Sequence, residues 1–168
     1  MNDLYVSKYV GLGHRIPSPA EIAVRRTALE LKIPTRKAIQ EAAPEMARLI
    51  DGPCWLIPVP ASDGRIAVNL ALANAIAAFV PGAQVNCAVA RRYPVESSYQ
   101  RRIRGLPGLT IEQHSIVRIA GPLRMLPAYF IDNVATSGTT IAACRRALGW
   151  GQGLTYADAS TRGVLVAA

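Results

Sequence analysis

The chain has 168 residues, enough for one domain with a substantial hydrophobic core and long for a disulfide-stapled miniprotein. Hydrophobic residues make up 51% and charged residues 18%, with a mean hydropathy of +0.19, which excludes a chain too polar to fold. Lysine plus arginine outnumber aspartate plus glutamate by 19 to 11, and 16 of the 19 are arginine, whose planar fork of donors matches phosphate oxygens, so anionic partners are expected, either nucleotides or nucleic acid.

After a short, extended start, Ser18-Pro19-Ala20-Glu21 places a hydroxyl at the N-cap, proline at the first helical position and glutamate two residues later. This is a capping box, and it predicts a helix to about Leu31. Thr35 caps a second helix toward Ile50, with a kink or break expected at Pro44, and Gly52-Pro53 closes the segment. Residues 1–52 thus read as an N-terminal helical segment, and 53–168 as the core.

From Cys54 short apolar runs alternate with helical stretches. Cys54 to Val59 predicts a buried strand, Ala61-Ser62-Asp63-Gly64-Arg65 a loop, and Ile66 to Phe79 a helix packed on a sheet. Ala83 to Ala90 predicts a second strand, followed by a polar, arginine-rich stretch to Gly105. Leu109 to Ile119 predicts one or two strands, Pro127 to Ile131 a buried strand, Thr139 to Leu148 a helix ending at Gly149, and Leu154 to Ala159 a final strand. Strands alternating with helices imply an α/β fold, a mostly parallel central sheet flanked by helices.

Cys54, Cys87 and Cys144 form no CxxC pair and read as free, buried thiols. The opening MNDLYVSKYV has no basic stretch leading into an apolar one, so no signal peptide is expected. The apolar run Ile66 to Val80 is shorter than the ~18 residues of a membrane span and carries Asn69 and Asn74. A cytoplasmic location with no membrane attachment is expected.

The stretch that carries chemistry is Tyr129 to Ile141, YFIDNVATSGTTI: an apolar strand, an acidic residue, a turn of hydroxyls and glycine, then at once a helix. Backbone N–H groups of such a turn and of the helix start converge on one spot with partial positive charge, and Thr136, Ser137, Thr139 and Thr140 add hydroxyl donors. Gly138 permits a positive φ or a close backbone approach. Asp132, at the carboxyl end of the strand, suits sugar hydroxyls, so a ribose 5-phosphate is the ligand these residues suggest. No Gly-Lys-Ser/Thr follows, so this is not a Walker A loop, and Gly11-Leu12-Gly13 lacks the third glycine of a dinucleotide fingerprint.

Ile131-Asp132-Asn133-Val134-Ala135-Thr136-Ser137-Gly138-Thr139-Thr140 resembles the phosphoribosyl pyrophosphate (PRPP) loop of type I phosphoribosyltransferases, and Ile57-Pro58-Val59-Pro60 resembles the strand that opens that domain in the ComF-like and amidophosphoribosyltransferase-like branches. The resemblance covers residues 54 to 160. It implies transfer of ribose 5-phosphate from PRPP to a nucleobase or amine acceptor, with release of pyrophosphate and Mg²⁺ carried by the substrate near Asp132 and not in a protein cage.

By the resemblance, Asp132 and Asn133 face the ribose, and Ala135, Thr136, Ser137, Gly138, Thr139 and Thr140 hold the 5-phosphate. Ala61, Ser62, Asp63, Gly64, Arg65 and Arg91 would meet pyrophosphate, and Arg101 and Arg102 would act from a mobile lid over 91–104. The family's second acid is replaced here by Asn133. The segment from Arg91 to Arg104 has five arginines and one glutamate, net +4 of the chain's +8, and reads either as that lid or as a solvated basic surface.

The alternative function is a non-catalytic PRPP- or nucleotide-sensing or nucleic-acid-binding protein on the same fold. The acceptor side would be built by residues 1–52 and the end near Thr161-Arg162-Gly163, and a homodimer suits the apolar composition. His14 and His114 have no partner at metal spacing and read as satisfied or exposed histidines.

Overall fold

The computed structural model describes residues 3–9, 17–33, 35–119 and 126–159. His14, Gly11 to Gly13 and the stretch around Thr161-Arg162-Gly163 lie outside these.

The described chain forms β1 (Leu4–Lys8), α1 (Pro19–Glu30), α2 (Arg36–Ala47), β2 (Trp55–Pro58), α3 (Ala67–Ala77), β3 (Gln84–Val85), β4 (Val89–Arg91), α4 (Ser98–Ile103), β5 (Ile116–Arg118), β6 (Ala128–Ala135), α5 (Thr139–Leu148) and β7 (Gln152–Asp158). Five strands make a parallel sheet in the order β1-β7-β6-β2-β3, and β4 and β5 form a separate antiparallel pair. The protein is an α/β fold with a parallel five-stranded sheet flanked by helices.

Alternation along the central strands divides the core in two. Leu56, Tyr129, Ile131, Leu154 and Tyr156 face α1, α2 and α3, which contribute Ala28, Leu31, Ala42, Met46, Leu72 and Ile76. Ile57, Val59 and Phe130 face the other way, against Ile141, Cys144 and Leu148 of α5 and Ala88 and Val89 beside the β4–β5 pair. α5 lies so close to β7 that a Cβ on Gly153 would stand 2.7 Å from Ile141 Cδ1, so only glycine fits there. Asp3 seals this edge: its carboxylate accepts from Gly153 N at 2.8 Å and pairs with Arg145.

Several elements follow the sequence closely. Both halves of the Ser18–Glu21 capping box are present, with Glu21 Oε2 accepting from Ser18 N at 2.8 Å, Thr35 caps α2 through Ala38 N at 3.1 Å, and α5 spans Thr139–Leu148 with Gly149 in the left-handed region.

Four expectations are corrected. α2 runs unbroken through Pro44 and ends at Ala47. Proline in a helix interior costs ~3 kcal/mol, and here Ala42, Ala43, Met46 and Ala47 stay buried on both sides of it, so packing of that face offsets the missing hydrogen bond. The strand expected over 83–90 splits into β3, on the main sheet, and β4, on the hairpin, because Ala88 N turns back to Asn86 O at 2.9 Å between them. The 109–119 stretch contains a 3-10 turn, Glu112–His114, before β5, with Ser115 left-handed at φ 49°. β6 extends four residues past Ile131, carrying Asp132 and Asn133 inside the strand where the sequence suggested its end.

The N-terminal segment enters the same core. β1 pairs with β7, and α1 and α2 share one apolar cluster with the sheet. The two buried cysteines are Cys54 and Cys144, with Cys87 half-buried; all three are free thiols, and burial pushes Cys54 up to about 11, which keeps it inert near neutrality.

Candidate functional site

β2 and β6 run parallel with Pro58 opposite Ile131, and Val59 N donates to Ile131 O at 3.0 Å, so their carboxyl ends open at the same edge of the sheet. In open α/β sheets that edge is where ligands bind. A cavity of about 460 Å³ lies there. Asp132, Asn133, Thr136 and Thr140 form one wall; Pro60, Ala61 and Ser62 form another; Asn69 of α3 and Lys32, just beyond α1, also face it. Val95 to Tyr99, Leu109 and His114 complete the rim.

The Asp132 carboxylate accepts from Asn133 N at 2.8 Å and from Asn69 Nδ2 at 3.2 Å. Burial pushes it up to about 6, and the two hydrogen bonds with the Lys32 and Arg91 charges pull it only part of the way back. Asn69 also donates to Val59 O at 2.8 Å, so one amide ties the end of β2 to the acid on β6, while its own Oδ1 is buried with no protein partner. Asn133 Oδ1 accepts from Val134 N at 2.8 Å, which leaves its NH₂ group as a donor at the position where the resembled family carries an acceptor.

Gly138 stands at φ +73° immediately before α5 and as N-cap supplies no side chain, while Thr139 N donates to Ser137 Oγ at 3.4 Å. A helix start of this kind, with hydroxyls around it, is suited to an anion. A Cβ on Gly138 would meet nothing within 4 Å, so Gly138→Ala costs only the left-handed conformation. A loss of about 1 kcal/mol in denaturant titration is expected, together with weaker anion binding; unchanged stability would show that the turn does not need the positive φ. Ser137 Oγ lies 2.6 Å from Thr139 Oγ1, which is 3.1 Å from His114 Nε2.

Arg91, Arg101 and Arg102 divide into one that lines the cavity and two that do not. Arg91 reaches the cavity, and three of its five guanidinium N–H groups meet main-chain oxygens: Nε on Ala61 O at 2.8 Å, Nη2 on Pro60 O at 3.4 Å, and Nη1 on His114 O. Arg101 donates to Pro107 O at 2.8 Å and lies 3.7 Å from Glu96, and Arg102 lies 6.0 Å over the Tyr99 ring. Neither lines the cavity, so the lid segment meets it through Glu96, Ser97, Ser98 and Tyr99. In the loop after β2, Asp63 accepts from Arg65 N at 2.9 Å across Gly64, whose φ is +87°, and these three residues face each other and solvent while Ala61 and Ser62 face the cavity. Ala135 ends β6, its carbonyl accepting from Ala159 N at 2.7 Å.

Three residues at this site carried no local signal. Lys32, in the turn after α1, and Asn69, on α3, reach it from positions far from Asp132 in sequence, and His114 is 3% exposed, with burial and the Arg91 charge lowering it to about 4, so it is neutral at pH 7. Among the described residues no group of three or more His, Cys, Asp or Glu side chains could hold a metal, and no helix is long and apolar enough to cross a membrane. No family model, no curated protein and no solved structure matches the chain.

Proposed function

We propose that the protein is a type I phosphoribosyltransferase: it binds PRPP at the edge formed by β2 and β6 and transfers ribose 5-phosphate to a nucleobase or amine, releasing pyrophosphate. The observation that carries this is the meeting of an acid in the second half of β6, Asp132, with the start of α5 and the hydroxyls Thr136 and Thr140 around one cavity. A ribose spans the step from carboxylate to phosphate site.

In such a transfer the C1–O bond loosens before the new bond forms, so positive charge grows on the sugar and negative charge on pyrophosphate. Asp132 holds the ribose hydroxyls and places its carboxylate near the cationic ring. The Thr136–Thr140 turn anchors the phosphate away from the reacting carbon, which fixes orientation. The Ala61–Ser62 edge of the loop after β2 supplies the second anion surface, beside Lys32. Two carboxylates line the cavity, Asp132 and Glu96, and Glu96 is paired with Arg101 and Arg104. That hard-oxygen set is too sparse for a cage, and it fits Mg²⁺ held chiefly by substrate oxygens and water, with Asp132 nearby; bound Mg²⁺ would neutralise leaving-group charge.

A second reading, a PRPP- or nucleotide-sensing or nucleic-acid-binding protein that does not catalyse transfer, is favoured by Asn133 presenting a donor to the ring and by Arg101 and Arg102 lying off the cavity. Calorimetry with PRPP and Mg²⁺ tests the site. Wild type is expected to bind saturably, and Thr136→Ala/Thr140→Ala to lose roughly tenfold or more in affinity, the worth of two hydroxyl contacts to a phosphate. Absence of heat from folded wild type overturns the reading, and pyrophosphate release on adding bases or amines separates the transferase from the sensor.

A further inference from the structure

We infer that His114 is a positioning residue that sets the direction of hydroxyl donation in the turn before α5, so that Ser137 and Thr139 present hydrogens to an ionised, acceptor-only ligand such as a phosphate monoester dianion. The inference rests on the proposed phosphate site and concerns how that site tells an anion from a protonated ligand.

The geometry is a three-member chain: His114 Nε2 is 3.1 Å from Thr139 Oγ1, and Thr139 Oγ1 is 2.6 Å from Ser137 Oγ, on an exposed residue of the turn that meets the cavity through Thr136 and Thr140. The ring itself is 3% exposed, and its Nδ1 is buried with no partner. That orphan decides the tautomer. A buried N–H with no acceptor is rarer and more costly than an unfilled lone pair, so the proton sits on Nε2. His114 then donates to Thr139 Oγ1, Thr139 O–H is turned toward Ser137 or the ligand, and Ser137 O–H is left pointing outward.

The opposite tautomer would reverse every link. Ser137 would donate to Thr139, Thr139 to His114, and the turn would show lone pairs that repel an anion. His114 is held where it can do this by its own carbonyl, which accepts from Arg91, the same guanidinium that holds Pro60 and Ala61. The residue is therefore tied through its carbonyl and Arg91 to the loop after β2, and through its ring to the turn before α5.

Two measurements test this on the intact protein. Nitrogen-15 NMR of the imidazole is expected to show the neutral Nε2–H form from about pH 5.5 to 8; the Nδ1–H form overturns the inference. In titrations with ribose 5-phosphate, His114→Gln, whose amide nitrogen can replace Nε2, is expected to bind within about threefold of wild type, and His114→Phe to lose roughly tenfold. In a Ser137→Ala background, His114→Phe should cost little more. Binding by wild type that folded His114→Phe leaves unchanged overturns the inference alone, whereas wild type that binds no ribose 5-phosphate overturns the reading of the site and this inference with it.

Discussion

Asp132→Asn is expected to make the folded protein more stable near pH 7.5 by about 2 kcal/mol while weakening PRPP binding by roughly tenfold or more. The carboxyl stands at about 6 against an ordinary 3.8, because burial penalises its charge more than its neighbours favour it. An acid that holds its proton more tightly when folded contributes stability that is full below its unfolded pKa, and that contribution is lost as pH rises from about 4 through 6. Above that window the wild type carries a charge it would rather not bury, and about 3 kcal/mol is the full value of the shift, reduced here because Asp132 is half-buried and lines a cavity open to solvent.

The amide is the same shape, and its oxygen still accepts from Asn133 N and Asn69 Nδ2. His114 acts oppositely: lowered to about 4, it removes stability as pH falls below its ordinary 6.5. In the wild type the two slopes largely cancel; in Asp132→Asn the histidine slope stands alone. Denaturant titrations of both proteins from about pH 4 to 7.5 isolate the carboxylate, since their difference should shrink from about 2 kcal/mol to near zero at the acid end. A difference independent of pH would show that the carboxylate is not strained by burial.

Arg91→Met is expected to cost about 2–3 kcal/mol of stability and to weaken ligand binding at both ends of the cavity. Methionine matches the length of the stem but leaves the carbonyls of Pro60, Ala61 and His114 without the guanidinium they share. Hydrogen bonds from a charged donor are worth about 1.5–3 kcal/mol each, less where solvent can replace them, as it can at Ala61. Arg91→Lys should recover less than half, because one ammonium cannot reach three oxygens around a planar fork. The check is the denaturation midpoint at constant slope; an unchanged midpoint would mean that the loop after β2 holds its shape without Arg91.

That arginine also shows where local reading ends. The family resemblance suggested a contact to pyrophosphate; the structure adds that three of its N–H groups hold carbonyls of two separate loops, Pro60 and Ala61 in one and His114 in the other, which no local pattern shows. The same limit applies to Arg101 and Arg102, whose partners Pro107, Glu96 and Tyr99 lie nearby in sequence but whose direction relative to the cavity depends on how α4 sits. His114 lies 25 residues from Thr139 and Asn69 lies 63 from Asp132, and no pattern in a single chain announces such pairs.

What the chain determines by itself is local chemistry with a fixed spacing. The Ser18–Glu21 box, the Thr35 cap, the helix from Thr139 to Gly149 and the strand–acid–hydroxyl–glycine order around Asp132 are all legible, because each is satisfied by backbone groups within four residues or by a helical or strand period. Tertiary structure decided where pairing replaced pattern. β6 lengthens because β7 offers partners for residues through Ala135, the 83–90 run splits because its ends pair with different strands, and α2 passes Pro44 because its buried face is held by the sheet. The cavity belongs to this second class: its residues come from Lys32 to Thr140, and only the parallel pairing of β2 with β6, which aligns their carboxyl ends, brings them to one edge.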